Sequence, residues 1–484
     1  VLFVELKMNK GLIKNISYNT LSNLLSIILG LLLNILIARI LQPQQMGEYS
    51  YVVWFISFLS TLVLLGIPNT LTKYIAQFYP KEKIKVKDIF YSLTKIVIIS
   101  FFVANFIFLV YLLFSFKNYQ LLLYIFLGIV IITLNAIFRS IVIGLEKFNI
   151  VALDTVVNLS LQILLVGIIL RKISVWQVML WIYLFCLVIS TILFYFFIKK
   201  DVKYFISSAK FDKVTTEEKQ KIYKYLFYIS ISLLINMIVW ERSEIFFLKI
   251  FSIPQDLAFY SIAFTLAYFP NKILTFGNVL LPFMSKIYGE KDFKLTSYYT
   301  QITDFVSFLL IPVYLFIFVF SSIIIEVLYG ASYIPVGNIL KILIIASLVS
   351  GISSVATAYV QAIEKTDMIF KIGVFVAIVN ILLDFLLIPK YKSLGAAYAN
   401  SVAQLIGCFL GTAYIIFVHK ARFPLFKIIK YVLTSVVLLY IVQILNLKLP
   451  LLKLLIYSIL FFVIYAALNY KEIYGIINFY KITK

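Results

Sequence analysis

"PQQMGEYS" at residues 43–50 and "PQDLAFYS" at 254–261 carry Pro, Gln, Tyr and Ser at the same places, 211 positions apart. Each octet sits between two long apolar runs, so its meaning depends on the solvent around those runs. The chain has 484 residues, of which 63% are hydrophobic and only 13% charged. A water-soluble protein of this length cannot hide so much apolar surface, and the surrounding medium is read as a bilayer. The backbone cannot leave its N–H and C=O groups unpaired in hydrocarbon, so the apolar runs are predicted to be helices.

Runs of about 20 apolar residues between charged or Pro/Gly breaks give fourteen predicted spans. They cover 16–41, 48–68, 89–116, 120–143, 150–170, 175–198, 223–249, 257–282, 298–328, 336–362, 367–388, 394–418, 428–447 and 450–469. The first run is longer than a signal-peptide core and lacks an A-x-A ending, so it reads as a span. The Lys and Arg distribution tests the count. With the N-terminus placed in the cytoplasm, the inside segments hold 29 Lys and Arg and the outside loops 8. A bias of that size supports an even number of spans with both termini cytoplasmic.

On this topology the two PQ loops are both outside loops, separated by six helices. "GLEKFN" at 144–149 and "AIEKTD" at 362–367 form a second echo, on inside loops again six helices apart, and "LTKY" at 71–74 against "MSKI" at 284–287 a third, weaker one. Their order and nearly constant offset predict a six-helix duplication. An even number of helices per copy keeps both copies in one orientation, with a pseudo-twofold axis along the membrane normal. The predicted organisation is therefore a cytoplasmic N-tail (1–15), a first six-helix bundle (16–198), a cytoplasmic linker (199–222), a second six-helix bundle (223–418) and a C-terminal segment (419–484) carrying helices 13 and 14 and a cytoplasmic tail. "TTEE" at 215–218 holds a Thr-x-x-Glu capping box, which predicts a short helix leading into the seventh span. Two bundles with short loops and no soluble domain fit a transporter that alternates between inward- and outward-open states.

The net charge of +22 does not point to nucleic acid, because the cations occupy short runs between spans rather than one soluble face. Two cysteines, Cys186 and Cys408, both in apolar segments, and the single His419 give neither a disulfide framework nor a zinc cluster. No cofactor is expected.

"ARILQPQQMGEYSY", "YSIAFTLAYFPNKI", "LYGASYIPVGNILKIL" and "LGAAYANSVAQLIG" resemble signature segments of the polysaccharide transporters of the multidrug/oligosaccharidyl-lipid/polysaccharide exporter superfamily. The resemblance runs from about residue 15 to 418 and extends more faintly over the last two helices. It implies a flippase of the cytoplasmic membrane that carries polyprenyl-(pyro)phosphate-linked oligosaccharide to the outer leaflet. It also implies that helices 13 and 14 provide a groove for the prenyl tail, with membrane lipids and glycosyltransferase or polymerase machinery as partners.

Apart from the 29 and 8 already counted with the loops and span ends, six cations remain, all inside the predicted spans: Arg39, Lys95, Arg139, Arg242, Lys272 and Lys341. Lys outnumbers Arg 38 to 5 in the chain, yet three of these six are Arg. Arginine stays charged and its planar fork grips phosphate oxygens in pairs. Such residues suit a cationic cavity for a pyrophosphate-sugar headgroup. For Arg39, Lys341, Arg139 and Lys95, snorkelling to headgroups is the other reading; Arg242 and Lys272 lie deeper. In "WERSE" (240–244), Glu241 and Glu244 share a helix face, either to bind a coupling H⁺ or Na⁺ or to neutralise Arg242 and Lys272. Asp304, Glu326 and Asp384 read as headgroup-level or locally paired carboxylates, and Asn380 as a cavity or interhelical residue.

Two rival functions remain. A multidrug cation antiporter of the same superfamily would be expected to carry an acid in the first bundle, and spans 1 to 4 contain none beyond Glu48 at the very start of the second. A polytopic enzyme acting on lipid-linked sugar would be expected to carry a large outer loop with catalytic acids or His, which these short loops do not supply.

Overall fold

The computed structural model describes residues 10–484 apart from 116–118, 170–172, 207–213, 241–242, 275–276, 290–294, 445–449, 471 and 473–484. Its described residues are helical throughout, with no strand. The helices are α1 (Lys10–Leu64), α2 (Ile67–Phe78), α3 (Lys83–Ser115), α4 (Tyr119–Gly144), α5 (Phe148–Ile169), α6 (Trp176–Ile206), α7 (Thr216–Trp240), α8 (Glu244–Phe251), α9 (Pro254–Ile273), α10 (Gly277–Gly289), α11 (Leu295–Tyr329), α12 (Val336–Ala362), α13 (Thr366–Val418), α14 (Leu425–Ile444) and α15 (Pro450–Leu468). A single 3₁₀ turn, Ala331–Tyr333, joins α11 to α12.

Among the described residues, nine helices are long and apolar enough to cross a bilayer. Two of these, α1 and α13, are each far longer than one crossing and break midway. The break in α1 is at Gln42 (φ 61°, ψ 167°), immediately before Pro43, which disfavours helical backbone at the residue ahead of it. In α13 it is at Lys392 (φ 52°), three residues after Pro389. The second break is a hairpin: Gly407 lies directly against Val376, two positions that a straight helix would hold roughly 45 Å apart. Counted as pairs, α1 and α13 bring the nine helices to eleven crossings. The remaining three predicted spans are α3, the α7–α8 pair and the α9–α10 pair, so the chain is an all-helical membrane protein of fourteen spans.

Spans 7 and 8 differ from the uninterrupted runs predicted. In the seventh, a turn at Ser243 precedes a helix that starts at Glu244, within the charged "WERSE" stretch. The eighth stops at Ile273, three residues after Pro270, and resumes at Gly277. The second span likewise stops at Leu64 and continues past Gly66 as α2. The weak third echo therefore has a structural counterpart, because "LTKY" lies on α2 and "MSKI" on α10, each a short helix that continues an interrupted span.

The second echo folds into one turn twice. Glu146 and Glu364 both adopt left-handed backbone (φ 57° and 62°). After each, the next amide bonds five residues back, Lys147 N–H to Val142 O at 3.0 Å and Lys365 N–H to Val360 O at 3.1 Å. This is the Schellman closure of a helix C-terminus, with Glu rather than Gly in the left-handed place. The capping box also forms: Thr215 N–H donates to Glu218 Oε2 (2.9 Å) and Glu218 N–H to Thr215 Oγ1 (3.3 Å). It opens α7 itself rather than a separate short helix.

Contacts divide the chain into two compact units, one ending at Met237 and the other beginning at Ile238. In the first unit α4 runs parallel to the second half of α1 and to α2, with Gly128 against Ile56, Thr72 Oγ1 bonded to Ser140 O (3.2 Å), and Gly144 against Ile75. In the second unit α14 and α15 pack on α11 through an aromatic seam of Phe308, Phe316, Phe320, Tyr431, Tyr457 and Phe461. Tyr465 closes it by donating to Phe308 O at 3.2 Å.

The α13 hairpin is tight enough to be tested. A Cβ at Gly395 would lie 2.3 Å from Leu387 O and 3.0 Å from Ile388 Cα, both backbone atoms. Gly395→Ala is expected to cost about 1–3 kcal/mol, read as a lower thermal midpoint of the detergent-solubilised protein. Gly30→Ala, where nothing lies within 4 Å, is the control and is expected not to lower it.

Candidate functional site

The break between α7 and α8 brings Glu244 to the first turn of α8, where its side chain is wholly buried. The two arms of the α13 hairpin meet it. From the first arm, Asn380 Nδ2 donates to Glu244 Oε1 at 3.2 Å and to Asp384 Oδ2 at 3.1 Å. From the second, Asn400 Nδ2 donates to the same Glu244 oxygen at 2.8 Å, while Asn400 Oδ1 accepts from Gln404 Nε2 at 2.9 Å. Tyr260 of α9 turns its hydroxyl toward Glu244 without closing a hydrogen bond. Glu244, Asn380, Asp384, Asn400 and Tyr260 all have 0% exposure.

One amide thus bridges two carboxylates, and among the described residues neither acid has a cationic partner. Glu244 Oε2, Asp384 Oδ1, Asn380 Oδ1 and Gln404 Oε1 are all buried without a hydrogen-bond partner. Desolvating one unpaired carboxylate costs several kcal/mol, and two facing each other cost more. A set of oxygens so arranged fits a shared proton or a small hard cation such as Na⁺, which takes carboxylate and amide oxygens as ligands. Gln404 also lines a cavity of about 630 Å³ with Ser350, Ser353, Ser354, Thr357 and Gln361, which gives the cluster a polar neighbour.

Of the residues singled out from sequence, Glu244, Asp384 and Asn380 are the ones this cluster contains. Glu241 and Arg242 lie outside the described residues. Arg39 (α1), Lys95 (α3), Arg139 (α4) and Lys272 (α9) are exposed and Lys341 (α12) is half-buried. These five sit on five different helices, and of them Lys272 and Lys341 belong to the same unit as Glu244. Asp304 is locally paired as expected, with Lys427 and with the Tyr431 hydroxyl at 2.8 Å. Asp384 is enclosed by protein beside Glu244, with Asn380 four residues away as its hydrogen-bond partner. The i,i+4 spacing of Asn380 and Asp384 was the sequence signal for this, masked by their nearness to the end of the span.

A further acid went unremarked in the sequence. Asp154, in the fifth span, is buried in the first unit. It lies beside Ser190 and within electrostatic reach of Arg139, its Oδ1 has no hydrogen-bond partner among the described residues, and Asn135 Nδ2 donates to Ser190 Oγ at 2.9 Å. The first unit does contain a buried carboxylate, so lack of one does not separate flippase from antiporter.

A model of the family described as polysaccharide biosynthesis protein matches residues 12–288, and the chain belongs to that family. Among solved structures, lipid II flippase MurJ in an inward closed conformation is similar with a TM-score of 0.74 at 19% identity, over 94% of this chain and 99% of that one. An inward-facing multidrug resistance MATE transporter of the MOP superfamily is similar with a TM-score of 0.61 at 15% identity, over 82% and 96%. A MOP superfamily transporter from Pyrococcus furiosus, described as having a binding pocket of reversed polarity, gives 0.55 at 16%, over 83% and 95%. At such identities the likeness is one of fold. No curated protein matches the chain by sequence.

Conservative neutral replacements keep the amide bridge of the acid cluster and remove its charge. The double variant Glu244→Gln/Asp384→Asn is expected to fold and to lose any dependence of thermal midpoint on Na⁺ or pH. A bound ion at a hundred times its Kd would stabilise the native protein by about 2.7 kcal/mol. A salt- and pH-titrated melting series of both proteins measures this directly.

Proposed function

We propose that the protein is a flippase that moves polyprenyl-(pyro)phosphate-linked oligosaccharide from the cytoplasmic to the outer leaflet of the cell membrane, by alternating access, for surface polysaccharide assembly. The observation that carries this reading is the C-terminal helix pair. With α14 and α15 packed on α11, the chain matches the lipid-flippase fold over 94% of its length, against 82% for the MATE transporter. The difference is about the length of that pair with its connections. Membership of a polysaccharide biosynthesis family supports the same substrate class.

In this reading the membrane cations Arg39, Lys95, Arg139, Arg242, Lys272 and Lys341 act successively on the phosphate groups. Arginine offers two parallel donors to one phosphate, and such contacts strengthen where water is excluded. The prenyl tail stays in lipid or along α14–α15. The Glu244–Asp384 pair takes up the coupling ion, and its occupancy biases the conformational equilibrium by the difference in ion affinity between the two states. Chemistry on the sugar is left to partner glycosyltransferases or polymerases, so the protein itself is a transporter and not an enzyme. Both termini lie on the cytoplasmic side.

The second reading, a cation antiporter, is favoured by the MATE-like fold and by Asp154. A single assay separates the two. Proteoliposomes carrying a fluorescent polyprenyl-pyrophosphate oligosaccharide are expected to show protein-dependent loss of headgroup sidedness. Glu244→Gln and Arg242→Ala are expected to slow it at least about tenfold, a 1.4 kcal/mol effect on the limiting barrier. No movement with several such lipids, together with ion-driven efflux of a small organic cation, would replace the flippase with the antiporter.

A further inference from the structure

A second pocket, of about 570 Å³, lies within the first unit between α2 and the start of α7. Its size is that of a small-ligand site. On α7, Lys221, Lys224, Tyr225 and Tyr228 fall on one helix face by their i, i+3 and i+4 spacing. Across from them α2 presents Lys73, Tyr74 and Gln77. The Lys73 ammonium sits 3.8 Å from the centre of the Tyr225 ring, and Tyr74 packs edge-on against that ring at 6.1 Å.

Three ammonium groups share this pocket, and among the described residues none of them pairs with a carboxylate. The one acid on its wall, Glu218, is already engaged by Lys85 at 2.8 Å and by the Thr215 amide at 2.9 Å. The Lys85 hydrogen bond and then the Thr215 amide hold that carboxyl below its usual range, so it stays with those partners. Like charges crowded in a concave site favour an anion with several oxygens.

The walls are also clamped together. Ser230 of α7 donates to Leu65 O just before α2 begins. Gly66, in left-handed backbone (φ 70°), comes so close to α7 that a Cβ there would lie 2.6 Å from Ile229. Tyr228 on the pocket wall, and Phe227, whose ring packs against it at 5.8 Å, leave large apolar surfaces exposed. An anion arriving on an apolar tail meets ammonium groups and bare aromatic surface side by side; a free anion would use only the first.

We propose that this pocket is a docking site for a lipid-borne pyrophosphate headgroup, with Lys73, Lys221 and Lys224 on the phosphate oxygens and the exposed aromatic flank on the prenyl chain. It lies on segments whose charge places them on the cytoplasmic side, where a substrate lipid would first be captured. The identity of that lipid as transported cargo rests on the flippase reading; the site itself does not.

The test uses full-length protein in detergent and measures binding of fluorescent farnesyl pyrophosphate. Lys73→Gln/Lys221→Gln/Lys224→Gln is expected to bind at least tenfold more weakly than native. Lys199→Gln/Lys200→Gln/Lys203→Gln, with the same change in net charge, is expected to bind like native. Gly66→Ala, which leaves every lysine in place but pushes α2 from α7, is expected to weaken binding as well. Equal binding by the first triple variant and native protein overturns the site, as does equal weakening in both triples. Displacement of the probe by phosphatidylglycerol at similar concentration overturns the pyrophosphate assignment in favour of bulk anionic lipid. Lysine-dependent binding without flipping in proteoliposomes would keep the site and discard the flippase.

Discussion

A peptide group in hydrocarbon has no water to bond, so each N–H and C=O must find a partner within the protein. Over most of this chain the partner is four residues away along a helix. The informative places are those where the ladder stops inside or beside an apolar run: Gln42 before Pro43, Gly66, Glu146, Glu364 and Lys392. At each the backbone takes positive φ, and at Glu146 and Glu364 the orphaned carbonyls are recovered by a five-residue closure. Two further interruptions, at Ser243 and after Ile273, divide single spans into helix pairs. The first of them puts a helix start, and with it Glu244, inside the protein rather than at its edge.

Buried charge is handled differently in the two units. Among the described residues Asp154 stands alone, with Arg139 within electrostatic reach, Ser190 beside it and its Oδ1 without a partner. Glu244 and Asp384 share one amide and leave an oxygen each without a partner. Two buried carboxylates bridged by one amide, more than the number of acids, make the second unit the place to look for ion coupling.

The remaining charges obey solvent access. Lys85–Glu218, Lys147–Asp201 and Lys427–Asp304 all lie on segments predicted to be cytoplasmic, where pairs are partly hydrated and individually contribute little to stability. Their arrangement still organises the surface: Glu218 is withdrawn from the α2–α7 pocket by Lys85, which leaves that pocket's lysines uncompensated. At the other end of the chain, α14 and α15 add no charge to the membrane interior near α11 and pack through aromatic rings instead.

The sequence alone determined the solvent, the number of spans, the duplicated loops and the capped start of α7, because each rests on local composition or short spacing. Even the left-handed turns at Glu146 and Glu364 were legible as a repeat, though not as a conformation. What it did not reveal was which polar residues meet. Glu244, Asp384 and Asn400 are separated by up to 156 positions, and Asp384 looked like a span-end carboxylate until the α13 hairpin folded it against α8. Likewise Lys73 and Lys224 belonged to two unrelated basic runs until the close approach at Gly66 made them walls of one pocket. Helix formation in a bilayer is decided by neighbours along the chain. The pairing of buried polar groups is decided by which helices pack, and only the tertiary structure carries that information.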